Sequence, residues 1–220
     1  MALKYDNVLF DFDGTIMDSG PGILRCVCEI VEEFGYDMPE EAVLRKFIGP
    51  PLKQIFRQVF DISSQETDCV VDRYRELHKE SNAILEADVY PGVVGLLQRL
   101  RNAGAKVGIA SVKRETAVVE TLKIHDMMEY FDVVAGGPPG VDIVQKDLVM
   151  QDCMERMGIG VQGTVMVGDS LYDAEASEQL GVDFCVALWG YGFDDPDDVT
   201  KHRQVFVAKD IPALESFLFT

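Results

Sequence analysis

Two aspartates near the start of the chain, Asp11 and Asp13, have the residue type and spacing needed for covalent chemistry on phosphorus. A carboxylate can attack phosphorus and form an aspartyl-phosphate, which divides hydrolysis into two easier steps. If the backbone stays extended, side chains two residues apart project to the same side, so a second acid could protonate the leaving oxygen and then deprotonate water. Gly14 allows backbone to approach a ligand closely, and Thr15 adds a hydroxyl.

Further reactive side chains occur much later in the chain, at Ser111, Lys146 and Asp169. Asp11 and Asp169 together favour a hard, oxygen-liganded cation such as Mg²⁺. Lys146 would offset more of the negative charge in the transition state, and Ser111 could donate a hydrogen bond to a phosphoryl oxygen. The set predicts phosphoryl transfer that starts at Asp11.

The elements that must position these residues follow an α/β pattern. Short apolar runs predict buried strands at 8–10, 106–110, 131–135, 164–168, 183–188 and, more weakly, 204–207. Helical spacing is found between them, at 93–103, 116–123, 146–157, 174–180 and 212–218. This alternation predicts a Rossmann-like, doubly wound parallel sheet. Since ligands bind at the carboxyl ends of parallel strands, the reactive residues are expected to share one edge.

A helical block interrupts the pattern after the first strand. From about Ser19 to Glu86 the apolar spacing is helical, with breaks at Gly35, Pro39 and 49–51. We interpret residues 18–86 as an inserted helical cap domain, and residues 1–17 plus 87–220 as the catalytic core. Basic residues near the 49–51 break, above all Lys53 and Arg57, are candidates for substrate specificity, although a solvated helix face explains them equally well.

Composition restricts the partners and the compartment. The net charge of −18 argues against nucleic acid and anionic membranes, and it favours a bound cation at any phosphate site. Five cysteines without a CxxC pair fit a reducing compartment. We therefore expect a cytoplasmic protein, monomeric or homodimeric, that acts on a small phosphorylated metabolite. The acidic run at 194–198 is interpreted as an exposed turn because it lacks the spaced ligands of a calcium loop.

The order of these residues resembles the motifs of the haloacid dehalogenase superfamily. The motifs are Asp11-x-Asp13-Gly-Thr, Ser111, Lys146 and Gly-Asp169-Ser-x-x-Asp173, and the block after the first motif is similar to that family's helical C1 cap. The resemblance implies Asp11 as nucleophile and Asp13 as acid and base. It further implies Ser111 and Lys146 as phosphate ligands, Asp11, Asp169 and the Asp13 carbonyl as Mg²⁺ ligands, and Asp173 as support for the metal. Gly14 and Thr15, within the first motif, are candidates for contact with the phosphate as well.

Segments 188–192 and 48–52 look like the phosphoglycolate phosphatase and 5′-nucleotidase branch of that superfamily. We therefore expect a Mg²⁺-dependent phosphatase of the phosphoglycolate phosphatase type. The alternatives are a 5′-nucleotidase or a pyrophosphatase, and then a phosphosugar mutase. Asp13 argues against a dehalogenase, whose halide leaving group needs no proton.

Two of the candidate residues have a purely structural explanation. Ser170-x-x-Asp173 has the pattern of a helix capping box, which is compatible with metal support. Ser111 could cap the following helix, which would place Lys113 and Arg114 in its first turn. Positive charges are unfavourable in the first turn of a helix, and a bound anion would offset this repulsion.

Overall fold

A six-stranded sheet forms the centre of the protein. The computed structural model describes residues 2–141, 144–193 and 199–219, so the acidic run at 194–198 and residues 142–143 before Lys146 lie outside the described residues. All neighbouring strands pair in parallel, in the order β5-β4-β1-β6-β7-β8. The six are β1 (Asn7–Phe10), β4 (Lys106–Arg114), β5 (Val133–Gly137), β6 (Thr164–Gly168), β7 (Asp183–Ala187) and β8 (Phe206–Ala208).

Helices cover both faces of this sheet. They are α5 (Val93–Asn102), α6 (Glu115–Ile124), α7 (Lys146–Met157), α8 (Leu171–Leu180) and α9 (Ile211–Leu218). One apolar cluster joins α5, α6 and α9 to the sheet, and a second joins α7 and α8 to it. In β1, Val8 and Phe10 belong to the first cluster and Leu9 to the second, because successive side chains of a strand point to opposite faces. The predicted Rossmann-like, doubly wound fold is confirmed.

The segment between β1 and α5 is mainly helical and has its own apolar cluster. It contains α1 (Gly20–Glu33), α2 (Glu41–Leu44), α3 (Leu52–Phe60) and α4 (Ser64–Glu80), with 3₁₀ turns at Arg45–Phe47 and Ala83–Glu86. Its cluster is centred on Val27, Ile30, Phe56 and Val71, all of them fully buried.

A two-stranded antiparallel ribbon lies where the chain enters and leaves this helical block. Strands β2 (Met17–Asp18) and β3 (Asp88–Val89) pair Met17 with Val89 and Asp18 with Asp88. The sequence analysis did not predict this ribbon, because two residues are too few to show the alternation of a strand.

The structure corrects one expectation about the segment after Ala110. Strand β4 continues to Arg114, and α6 begins only at Glu115 with Arg114 as its N-cap residue. Ser111 therefore does not cap α6, and Lys113 and Arg114 do not lie in its first turn. The expectation of an anion bound at this helix start is therefore wrong. The extended backbone instead carries the Lys113 side chain to the carboxyl edge of the sheet.

Candidate active site

Four side chains from three distant segments of the chain meet at the carboxyl edge of β1 and β6. The Lys146 ammonium, at the first residue of α7, lies 2.5 Å from Oδ1 of Asp11 and 2.6 Å from Oδ1 of Asp173. Carboxylate oxygens of Asp11, Asp169 and Asp173 all lie within 4.8 Å of one another. The four side chains are buried. The sheet order explains the meeting, since β1 and β6 are neighbours and end side by side.

Backbone from two loops encloses the Asp169 carboxylate. Its Oδ2 accepts hydrogen bonds from the backbone N–H groups of Tyr191 and Gly192, at 2.7 and 3.2 Å. A Cβ at Gly14 would come within 2.7 Å of Asp169 Cγ, and one at Gly190 within 2.5 Å. Real Cβ atoms do not approach so closely, so glycine is required at both positions. Gly14 also has a φ of +83°, which favours glycine independently.

Asp173 takes part in two arrangements at once. The capping box predicted at the start of α8 is present: Asp173 N–H donates to Ser170 Oγ at 3.4 Å, and Ser170 N–H donates to Asp173 Oδ2 at 3.1 Å. The other oxygen, Oδ1, is buried and lies 2.6 Å from the Lys146 ammonium. A structural cap needs only Oδ2, which leaves Oδ1 directed at the carboxylate cluster.

The charges of this cluster do not balance. Three carboxylates face one ammonium in a buried site, and burial of like charges disfavours their ionised forms. Burial raises the pKa of Asp11 well above its ordinary value, although the charge of Lys146 opposes this shift. The pKa of Asp169 is also raised, first by burial and second by the negative charge of Asp173. Burial alone would lower the pKa of Lys146, but Asp11 and Asp173 outweigh it and raise this pKa.

These residues fit a divalent cation. The donor set contains only oxygens, and a cation would offset the excess negative charge of three carboxylates beside one ammonium. Asp11, Asp169 and Asp173 are the side chains that could hold it.

Asp13 lies beside this cluster with partners of its own. Lys113 Nζ donates to both of its carboxylate oxygens, at 2.8 and 3.2 Å, and the Ser19 hydroxyl donates to Oδ1. Ser19 is the N-cap residue of α1, yet its side chain makes no capping hydrogen bond. The hydroxyl is therefore directed at Asp13 instead of at the helix that follows it.

Ser111 and Thr15 are also buried at this edge. Ser111 Oγ accepts a hydrogen bond from the backbone N–H of Lys113 at 3.2 Å, which leaves its proton available for donation. The Thr15 hydroxyl donates to Asp169 Oδ1 at 3.3 Å.

A cleft of about 300 Å³ opens from Asp13 between the core and the helical block. Its wall combines apolar side chains such as Phe47 and Leu52 with Tyr74, His78 and Lys113. Burial and then the charge of Lys113 lower the pKa of His78 to about 4, so its imidazole is neutral at pH 7.

Lys53 and Arg57, the two predicted specificity residues, are not among the residues that line this cleft in the described part of the chain. Lys53 forms an ion pair with Asp68 at 2.6 Å.

Sequence reasoning did not identify Ser19, His78 or Tyr191 as parts of this region, and it placed Lys113 on the wrong element. Ser19 at a helix start has the ordinary pattern of an N-cap, so nothing in the sequence distinguishes its actual contact. Tyr191 belonged to a segment noted only for its resemblance to one branch of a superfamily. The sequence does not show which residues of the core the helical block contacts, and those contacts bring these side chains to the site.

The fold and this site define an α/β enzyme with a buried carboxylate–lysine centre at the carboxyl edge of its sheet. The chain matches the family model of the haloacid dehalogenase-like hydrolases over residues 8–187. It belongs to that family. The family and the hydrolase class predicted from the sequence are thereby confirmed.

Named relatives extend over most of the chain. It is 30% identical over 217 residues to a 5′-nucleotidase of Pseudomonas aeruginosa, which covers 99% of this chain and 97% of the relative. It is 28% identical to the tyrosine-protein kinase PtkA of Mycobacterium tuberculosis, over 96% of this chain and 72% of that protein. A phosphoglycolate phosphatase of Aquifex aeolicus is 27% identical, with coverage of 84% and 85%.

Solved structures agree with this assignment. The crystal structure of a predicted phosphatase from Clostridium acetobutylicum superposes with a TM-score of 0.89 at 25% identity and covers 97% of both chains.

No helix in the described ranges combines the length and apolar character needed to cross a membrane.

Proposed function

We propose that this protein is a Mg²⁺-dependent phosphatase that hydrolyses a small phosphomonoester through an aspartyl-phosphate on Asp11. The observation that carries the proposal is the meeting of Asp11 with Lys146, Asp169 and Asp173 at the carboxyl edge of the sheet. The Asp11 carboxylate attacks phosphorus, and the ester oxygen leaves with the electrons of its bond to phosphorus. Water then attacks the acyl phosphate, which releases inorganic phosphate and restores Asp11.

Asp13 is proposed as the general acid and base. It protonates the leaving oxygen in the first step and takes a proton from the attacking water in the second. Its position beside Asp11 and in the wall of the cleft supports this assignment.

Ser111, Lys146, Gly14 and Thr15 are proposed to hold the phosphoryl group. Asp11, Asp169 and the Asp13 carbonyl would hold Mg²⁺, with Asp173 in support. Bound there, the cation supplies positive charge that lets an anionic phosphate lie beside ionised carboxylates. Lys146, 2.5 Å from Asp11, adds a fixed positive charge that stabilises charge developing on phosphorus.

Residues 18–86 are proposed as a cap domain over the core formed by 1–17 and 87–220. Their separate apolar cluster and the β2–β3 ribbon at both chain crossings support this division. A leaving group would lie in the cleft between the two parts, where closure excludes water. Lys53 and Arg57 stay predictions as specificity residues.

The substrate is proposed to be of the phosphoglycolate type, with a nucleoside 5′-monophosphate or pyrophosphate as alternatives. The named relatives support the first two. The cleft of about 300 Å³ accommodates a two-carbon leaving group and leaves space for a larger one, so the nucleotide is retained as the first alternative. A phosphosugar mutase is the remaining alternative, since an aspartyl-phosphate can also be transferred to an acceptor other than water.

The test measures inorganic phosphate released from a panel of phosphoglycolate, nucleoside monophosphates, pyrophosphate and hexose phosphates, with MgCl₂ or with EDTA. We expect Mg²⁺-dependent release that Asp11→Asn abolishes, while Asp37→Asn, the same change at an exposed position, retains it. Undiminished release by Asp11→Asn would refute the nucleophile. Conversion of a hexose phosphate to its isomer without phosphate release would identify a mutase.

The proposed setting is the cytoplasm, with a small phosphorylated metabolite as partner and a monomer or homodimer as the functional unit. The high negative charge supports the exclusion of nucleic acid.

A further inference from the structure

We propose that Tyr191 is a positioning residue that couples the position of the helical block on the core to the orientation of the Asp169 carboxylate. The inference rests on the proposed function because it assumes that Asp169 holds a divalent cation. It assigns a physical task to the Trp189-Gly-Tyr-Gly192 segment, which the proposed reaction leaves unexplained.

One end of Tyr191 contacts the carboxylate centre. Its backbone N–H donates to Asp169 Oδ2 at 2.7 Å, the shorter of the two backbone hydrogen bonds to that oxygen. Neither neighbouring glycine could carry a side chain: a Cβ at Gly190 would come within 2.5 Å of Asp169 Cγ, and one at Gly192 within 2.5 Å of the Asp169 carbonyl oxygen. The segment therefore lies directly against Asp169, without space for a shift toward it.

The other end of Tyr191 contacts the entrance to the helical block. Its hydroxyl donates to Oδ1 of Asp18, which lies in the β2–β3 ribbon. Its ring packs against the apolar cluster of the block, and the Arg45 guanidinium lies 5.9 Å from the ring centroid. A Cβ at Gly20 would come within 2.6 Å of the ring carbon Cζ, so the first residue of α1 accommodates the tyrosine only as glycine.

The segment is also held from a third side. Trp189 Nε1 donates to the backbone carbonyl of Thr15 at 3.1 Å, which ties the segment to the loop that follows Asp11 and Asp13. With Trp189 anchored to the core, a movement of Asp18 or of α1 is transmitted through the rigid tyrosine ring to the N–H that orients Asp169. Groups that orient a metal ligand affect metal affinity, so the position of the helical block should affect the metal site.

The primary test replaces Tyr191 by phenylalanine, which keeps the ring and the backbone N–H and removes only the hydroxyl. Affinity for MgCl₂ is measured by titration calorimetry, and amide hydrogen exchange is measured over residues 17–20. We expect the Kd for Mg²⁺ to rise about ten-fold, the lower end of the range for loss of a group that orients a metal ligand. Exchange at 17–20 should become faster in the same variant.

The matched control is Tyr172→Phe. The Tyr172 hydroxyl, in α8, accepts a hydrogen bond from Gln54 of α3 at 3.1 Å, so it also joins the helical block to the core. Within the described residues, no hydrogen bond joins the Tyr172 side chain to residues 189–192. We expect this control to leave the Kd for Mg²⁺ within two-fold of wild type, an allowance that covers ordinary experimental scatter.

A second variant reaches Tyr191 without changing it. Gly20→Ala should displace the ring and reproduce the weaker Mg²⁺ binding, whereas the same change in a Tyr191→Ala background should add little, since the clash is then gone. This non-additivity is the signature of direct coupling between the two residues. A folded state is checked for each variant by circular dichroism.

Three outcomes would overturn the inference. One is an unchanged Kd in Tyr191→Phe, with or without faster exchange at 17–20, since the hydroxyl would then have no effect on the metal site. Another is an equal loss in Tyr172→Phe, which would indicate general loosening. A wild-type protein that binds no Mg²⁺ would overturn the proposed metal site, and this inference with it.

Discussion

Lys113 donates from its ammonium to both carboxylate oxygens of Asp13, at 2.8 and 3.2 Å. The two residues are brought together because β4 and β1 are parallel neighbours and β4 continues past Ala110. Both residues line the cleft, so one lysine contacts the proposed general acid and also borders the space for the leaving group.

Replacement of Lys113 by methionine should therefore lower kcat/KM by roughly 10- to 100-fold, the range expected for loss of a hydrogen bond to a charged group. The measurement is steady-state hydrolysis of the best substrate from the panel. Lys123→Met, at an exposed position of α6, is the control. Equal kinetics in the two variants would contradict a function of Lys113 at the cleft.

The Asp11→Asn variant should show a different stability profile as well as lost turnover. Burial raises the pKa of Asp11 from 3.8 to about 8, so the folded, metal-free protein keeps a proton that the unfolded chain releases. The resulting stabilisation is complete below the ordinary value and is lost as the pH rises toward about 8.

In EDTA, Tm should therefore fall between pH 5 and pH 8 more steeply in wild type than in Asp11→Asn. Thermal unfolding by circular dichroism at several pH values measures this. Parallel curves for the two proteins would show that Asp11 does not retain a proton in the folded state.

Ser19 and Ser63 offer a matched pair of serines at helix starts. Ser19 donates to Asp13 and makes no capping bond, whereas Ser63 caps α4 by accepting from the N–H of Glu66 at 3.2 Å. We expect Ser19→Ala to lower kcat about ten-fold through the lost hydrogen bond to Asp13. Ser63→Ala should instead cost about 1 kcal/mol of unfolding free energy, the usual loss for an N-cap, and leave kcat unchanged. Kinetics and urea unfolding of both variants provide the comparison, and similar effects on kcat would rule out a special function of Ser19.

His78 should contribute to acid sensitivity of the fold. Its pKa falls from 6.5 to about 4, chiefly by burial and next by the charge of Lys113, so the folded protein binds a proton less readily than the unfolded chain. The stabilisation from its neutral form is complete above pH 6.5 and is lost as the pH falls toward about 4. His78→Gln should flatten the decline of Tm from pH 6.5 to pH 4.5, and His202→Gln, outside the cleft, should not. An unaltered decline in His78→Gln would assign the acid sensitivity to other groups.

The sequence was sufficient to predict the sheet and the residues at its edge. Buried strands are short apolar runs, and parallel strands end on the same side, so Asp11, Lys146 and Asp169 could be assigned to one edge without coordinates. The helix that begins at Lys146 was predicted with its observed bounds, and the capping box at Ser170 and Asp173 was predicted from its spacing. These features depend on neighbours along the chain or on a topology with few alternatives.

Only the tertiary structure decided which side chains at and around this edge are in direct contact. The extension of β4 that carries Lys113 to Asp13 depends on pairing with β5, and Arg114 pairs with Gly137 after a shift in register. The direction of the Ser19 hydroxyl and the contacts of Tyr191 depend on how the helical block is seated on the core. The local sequence cannot predict such contacts, because the alternative rotamers and strand lengths have nearly equal local free energies. Packing between distant segments then determines which alternative is adopted.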